Sequence, residues 1–335
     1  MKNTKVVVNR YGGPEVLEIV NEPLRIPTRN EVRIKVSCSG VALADMMRRE
    51  GLYPNSPEVP FTPGYEAVGV IDALGEDVTQ FEIGQKAAVF FDGVGAYASY
   101  VYCKAEEAIP IPPGIEDAEA VTIILNYVTA YQMLHRIAKV QEGDRILIHG
   151  ASGGVGTALM DLGRLAKLKM YGTASASKHM PLERFRARLI DYRKDDFVEV
   201  IRQEAPEGID AVFDPIGGEN WRRSFTTLGE HGRFVGYGYT SVFQQGSGEI
   251  WASEWSNLAE QQVTPAGNPA CLYSITNLRH QHPDWFMEDV SELMNLLAAG
   301  EIAPMIYDRL PLSEAAKAHQ LLAESAVIGK VVLIS

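Results

Sequence analysis

The chain has 335 residues, 46% of them hydrophobic, enough to bury a large core and, at roughly 150 residues per domain, to form two domains. Its 31 Lys and Arg against 43 Asp and Glu leave a formal charge of −12, which repels phosphate backbones and anionic lipid, so neither nucleic acid nor a membrane is expected as a partner. Three widely separated cysteines, Cys38, Cys103 and Cys271, match no metal-ligand spacing. With no apolar signal core in MKNTKVVVNRYGG and no run of about 18 apolar residues, a cytoplasmic protein is expected.

Up to about residue 120 the chain reads as short strands, TKVVVN, EVLEIVN, EVRIKVSCSG, AVGVIDALG, QKAAVFF and AYASYVYC, separated by Gly, Pro and Asn turns. Such a run makes a twisted β-barrel or sandwich. From about 125 the period changes. DRILIHG, KMYGTAS, GIDAVFDPIG and GRFVGYG read as strands, and TALMDLGRLAK and DFVEVIRQEA as helices between them. Alternation of this kind predicts right-handed crossovers and a doubly wound parallel sheet. Helices are expected over DVSELMNLLAAG and SEAAKAHQLLAES, and the closing strand GKVVLIS is placed to pair back into the first domain.

In ILIHGASGGVGTALMDLGRLAK an apolar strand runs through a glycine turn into an amphipathic helix, the context of a dinucleotide fingerprint. Ala151 takes the first glycine position, followed by Ser152, Gly153, Gly154, Val155 and Gly156. Gly153 and Gly154 admit a pyrophosphate to the helix amides, and Gly156 lets helix and strand approach. About 20 residues on, where an NAD enzyme carries an acid for the ribose hydroxyls, YGTASASKH offers Ser175, Ser177 and Lys178 instead. Two hydroxyls and a cation suit a 2′-phosphate, so NADP(H) is the expected cofactor. Tyr192, after the next strand, lies against the ribose phosphate or adenine, or is a buried structural tyrosine. Gly236 and Tyr237, closing GRFVGYG, are also assigned to the cofactor.

These motifs, with GGPEVLEI, GVALADMMRREGLYP, TPGYEAVGVI and LNYVTAYQML, resemble the zinc-independent quinone oxidoreductase branch of the medium-chain dehydrogenase/reductase superfamily over essentially the whole chain. TASASKH and LNYVTAY are most similar to the vesicle amine transport protein-like group. The resemblance implies an α/β fold with a GroES-like β-barrel catalytic domain, residues 1–124 completed by 268–335, and a Rossmann domain over 125–267. It also implies a cleft between the two and a homodimer joined at a sheet edge, for which ACLYSITNL is the assigned segment, a plain internal strand being the alternative.

The resemblance places the zinc ligands of related alcohol dehydrogenases at Ala42, Tyr65 and near Asn126, none of which replaces thiolate or imidazole, so no metal is expected. Without a Lewis acid, alcohol oxidation is disfavoured. Hydride transfer to a small-molecule quinone or α,β-unsaturated carbonyl remains, a quinone or enone/enoyl reductase activity that needs positioning and a hydrogen bond to the developing oxyanion. Tyr53, Asn126 and Tyr65 are the candidate catalytic residues, with Tyr127 behind them, and Asp45 is read as a support for the loop of Ala42. Residues 239–270 carry Phe243, Trp251 and Trp255, which wall an apolar pocket or pack between domains. The alternative to an enzyme is a nucleotide-binding scaffold of the same fold with little or no turnover.

Overall fold

A hairpin opens the chain, with β1 (Lys2–Val8) and β2 (Leu17–Pro23) paired antiparallel. The computed structural model describes residues 2–246 and 248–335 and divides into two units, one built by the chain up to Leu125 and again from Val290, the other by Asn126–Asp289. In the first unit, apolar residues at alternate positions of β3 (Glu31–Val41) bury Val32, Ile34, Val36 and Cys38. Val32, Ile34 and Val36 meet Ala67 and Ile71 of β4 (Glu66–Leu74), and Ala87 and Val89 of β5 (Lys86–Phe90), in one core. β6 (Tyr100–Lys104) pairs with β3, and β7 (Ile109–Pro110) with β5.

Between β3 and β4, α1 (Leu43–Arg49) buries Asp45, whose carboxylate accepts the Ala42 N–H at 2.8 Å and the Tyr97 hydroxyl at 3.0 Å. His319 Nε2 lies 3.2 Å from the same hydroxyl, and Arg49 donates to His319 Nδ1 at 3.0 Å. Tyr97 spends its proton on Asp45, so His319 reaches Tyr97 through Nε2–H. Burial pushes the Asp45 carboxyl up to about 7 and the His319 imidazole down to about 3. A raised carboxyl favours the folded state most below its unfolded value near pH 4, and that contribution is lost as pH rises through about 7. The unfolding free energy of the native protein minus that of Asp45→Asn is therefore expected to fall between pH 4 and 7. A constant difference in urea titrations across that range would show Asp45 ionised throughout.

α2 (Asp117–Thr122), a π-helical turn, α3 (Val128–Tyr131) and a second π-turn ending at Ile137 lead into the second unit. Here β8 (Arg145–Ile148), β9 (Lys169–Thr173), β10 (Arg188–Ile190), β11 (Ile209–Asp214), β12 (Leu228–Gly236) and β13 (Ala270–Leu272) form a parallel sheet in the order β10-β9-β8-β11-β12-β13. Ile146, Leu147 and Ile148 are fully buried, as in a sheet covered on both faces. Helices α4 (Gly154–Leu165), α5 (His179–Leu182), α6 (Phe197–Glu204), α7 (Glu219–Phe225), α8 (Val242–Gln245), α9 (Gly248–Gln261) and α10 (Ile275–Gln281) fall between or after these strands.

β13 pairs parallel with β12, which holds the chain in the second unit well past residue 267. The first unit resumes at Val290, within α11 (Pro283–Ala298), and not at 268 as expected. β14 (Ile306–Pro311), α12 (Ala315–Ala323) and β15 (Lys330–Ile334) follow, with β15 antiparallel to β3. Lys330 and Glu66, 2% and 0% exposed, form an ion pair at 2.5 Å inside this sheet.

Candidate active site and nucleotide site

The turn after β8 changes hand at Gly150, whose φ of +64° suits glycine, and Ala151 is spared. Gly153 then caps α4, with no side chain covering the first turn, so the amides of Gly154, Val155 and Gly156 have no carbonyl within the helix to bond. A Cβ on Gly156 would stand 2.3 Å from the Gly150 oxygen and 2.7 Å from Ala151 Cα, so only glycine lets the helix start this close to the strand. Ser152, Gly153, Gly154 and Val155 are half-buried, which leaves the loop surface accessible.

Asp214, at the end of β11, accepts the Ile216 amide at 2.7 Å, the Asn220 side chain at 2.7 Å and the Ser224 hydroxyl at 2.8 Å. His149, at the end of β8, lies 3.0 Å from Ser224 Oγ and 3.1 Å from Thr173 Oγ1 at the end of β9. These buried bonds tie together the carboxyl ends of three strands beneath the glycine turn. Gly236 is buried at the end of β12, and the Tyr237 amide donates to the Asp214 carbonyl at 3.1 Å.

Beyond β9, Ser175 is buried with its hydroxyl 3.3 Å from that of exposed Ser177. Burial lowers the Lys178 ammonium, and the like charge of Arg193 lowers it further. Arg193, which sequence reasoning missed although it adjoins Tyr192 in DYRKDD, is exposed and has no carboxylate partner among the described residues. Tyr192 is 54% exposed, which removes the alternative of a buried structural tyrosine. Two cations and two hydroxyls thus stand together at the carboxyl ends of β9 and β10.

In the first unit, Tyr53 and Tyr65 meet around a residue the sequence reading left out, Arg48 of α1. Its guanidinium carbon lies 4.0 Å from the Tyr53 ring centroid and 4.8 Å from that of Tyr65. Nη1 donates to the Tyr65 hydroxyl and Nη2 to the Asp92 carbonyl at 3.3 Å. Arg48 is 8% and Tyr65 4% exposed, whereas Tyr53 is half-buried. Burial drives the Tyr65 phenol well above its ordinary value, and Arg48 only partly opposes the shift, so Tyr65 is a neutral hydroxyl. No signal in the sequence marks Arg48, since an arginine on a short helix reads as solvated.

The remaining candidates are packing residues or buried. Tyr127 donates to Asp161 at 2.8 Å and anchors its helix to α4. Asn126 is 4% exposed in the first π-turn. In 239–270, of which Ser247 lies outside the described residues, Trp251 stacks on Tyr239 with centroids 5.9 Å apart, and Trp255 covers Trp221. Trp251 is 4% exposed and Tyr239 bonds Glu254 at 2.5 Å, so Trp251 and Tyr239 belong to the core of the segment. Phe243 is half-buried on α8. β13 is an edge strand, flanked by a cavity of about 430 Å³ that Ile137, Arg233, Ala259 and Cys271 help to line.

Among known families, the alcohol dehydrogenase GroES-like domain matches residues 28–113 and the zinc-binding dehydrogenase domain residues 186–333. The chain is 30% identical to the human synaptic vesicle membrane protein VAT-1 homolog over 98% of its own length and 86% of that protein. The crystal structure of Escherichia coli quinone oxidoreductase complexed with NADPH superposes with a TM-score of 0.88 at 27% identity, covering 99% of this chain and 100% of that one. The CurK enoyl reductase does so with a TM-score of 0.86 at 27% identity, covering 100% and 99%. With its parallel-sheet unit, its barrel-like partner and these relatives, the chain belongs to the quinone oxidoreductase branch of the medium-chain dehydrogenase/reductase superfamily, a family of oxidoreductases, close to the VAT-1 homologues.

Proposed function

We propose that the chain is an NADPH-dependent, zinc-independent oxidoreductase that reduces a quinone or an α,β-unsaturated carbonyl compound. The observation that carries the reading is the pairing of a glycine-only helix start at Gly156 with the cations Lys178 and Arg193 two strand-ends away. The first fits a pyrophosphate, and the second a 2′-phosphate, whose charge would relieve the repulsion between them. The amides of Gly154, Val155 and Gly156 would hold the pyrophosphate. Ser175, Ser177, Lys178, Arg193 and Tyr192 would hold the ribose phosphate, with Ser152, Gly236 and Tyr237 along the remaining length. Bound NADPH supplies the hydride. Tyr53 and Tyr65 are assigned to the acceptor and Asn126 to cofactor or acceptor.

Zinc independence is supported by Ala42 and Tyr65 at the ligand positions of related alcohol dehydrogenases, and by the donor set. Among the described residues no three His, Cys, Asp or Glu side chains come together as a metal site. We further propose a cytoplasmic homodimer joined at the exposed edge of β13. All three cysteines are free, and among the described residues no helix is long and apolar enough to cross a membrane. Sedimentation of the protein at monomer mass would remove the dimer.

Titration of NADPH and NADH, followed by addition of quinones and enones, tests the activity. NADPH preference with oxidation by one acceptor is expected; equal affinity for both nucleotides would overturn the phosphate assignment, and tight binding with no turnover across the panel would favour a scaffold. Lys178→Ala is expected to weaken NADPH roughly ten-fold and leave NADH unchanged, since a charge-assisted bond is worth about 1.5 kcal/mol or more. Equal weakening of both nucleotides, read by fluorescence titration, would place Lys178 elsewhere.

A further inference from the structure

Arg48 is a buried cation with no carboxylate at ion-pair distance among the described residues, although the Asp45 carboxyl of the same helix acts on it from farther off. The fold instead surrounds it with the faces of two tyrosines and one carbonyl. Gly93, at φ +92°, brings the backbone so close that a Cβ there would stand 2.6 Å from the guanidinium and 3.0 Å from the Tyr65 ring. The cation is therefore fixed in place.

A guanidinium has no lone pair to offer, so in the Arg48–Tyr65 bond the phenol oxygen can only accept. The Tyr65 hydroxyl keeps its hydrogen, and no acceptor for it occurs among the described residues although the side chain is 4% exposed. A buried donor left over, next to a positive charge, is what an oxyanion site requires.

We propose that Arg48 and Tyr65 form an oxyanion-binding pair, in which Tyr65 donates to the acceptor oxygen that becomes negative during reduction and Arg48 strengthens that donation. The proposal rests on the reductase reading for its substrate class. As hydride reaches the β-carbon of an enone, the carbon–carbon π pair shifts toward the carbonyl oxygen and an enolate forms; a proton from water then completes the saturated product. The positive charge a metal brings to related enzymes is here carried by a side chain. Acceptors whose reduction concentrates charge on one oxygen are the favoured class.

The test uses 4-nitrophenol as a phenolate probe on the protein without nucleotide, so its outcome does not depend on turnover. Bound to the native protein, the probe is expected to ionise about one pH unit lower than in water, a roughly ten-fold preference for the anion. Arg48→Met and Tyr65→Phe should each abolish the shift, and Arg48→Lys should keep part of it. Cooperative urea unfolding of both units checks that each variant is folded; should Arg48→Met fail to fold, Tyr65→Phe and Arg48→Lys carry the comparison. An unshifted titration, an absence of probe binding, or an equal shift without Arg48 would overturn the proposal.

Discussion

Lys330→Met is expected to lower the unfolding free energy by about 3–5 kcal/mol, because it strands the Glu66 carboxylate in the barrel core. Glu66 is fully buried, its Oε1 is held by Lys330 at 2.5 Å, and its Oε2 has no partner among the described residues. Burial already raises this carboxyl despite the neighbouring ammonium. With the ammonium gone, the chain must bury a lone charge or take up a proton. The pair also spans the length of the sequence, since Lys330 belongs to the closing strand and Glu66 to β4. Gly40 makes room for it, because a Cβ there would stand 1.9 Å from Glu66 Oε1. Urea unfolding at pH 7 measures the effect, and a loss under 1 kcal/mol would show that water reaches the site. Replacing both partners by apolar residues should restore most of the loss, as removing a matched pair leaves no orphan.

Gly156→Ala should weaken NADPH roughly a hundred-fold. The added methyl collides with backbone atoms of Gly150 and Ala151, which cannot rotate away as a side chain would, so the first turn of α4 must lift from the loop. Two or three amide bonds to phosphate are lost together, at about 1.5 kcal/mol or more each. Isothermal titration reads the affinity, and an undiminished binding constant would mean that the nucleotide does not touch this helix. Protein stability should fall less, by about 1–3 kcal/mol, the usual cost of overpacking.

Much of this architecture was legible from period and punctuation. The change from alternating strands to strand–helix repeats near residue 125 announced the two kinds of unit, and the strand–glycine–helix run is found as β8, a glycine turn and α4 because those three elements are contiguous. The return point was missed by about twenty residues: Ala270–Leu272 is too short to show whether it joins a parallel sheet or a barrel. Arg48 was missed for a different reason. Its partners Tyr65 and Asp92 lie 17 and 44 residues away, and an arginine on a helix reads as solvated unless its burial is known. The aromatic segment left two readings open, a ligand wall or packing, because a tryptophan suits either; Trp251 and Trp255 pack against Tyr239 and Trp221.

His149, Ser224 and Asp214 have the composition of a hydrolase triad, yet the direction of their protons forbids that chemistry. Ser224 gives its hydrogen to Asp214, so the imidazole must donate to Ser224 through Nε2–H and accept from Thr173 at Nδ1. A general base in such a triad has to receive the serine proton at Nε2; here that nitrogen already bears one. Burial lowers the imidazole further and keeps it neutral. A search for nucleophiles by proximity alone would select these three residues, whereas their hydrogen bonds make them a clasp that holds three strand ends in register.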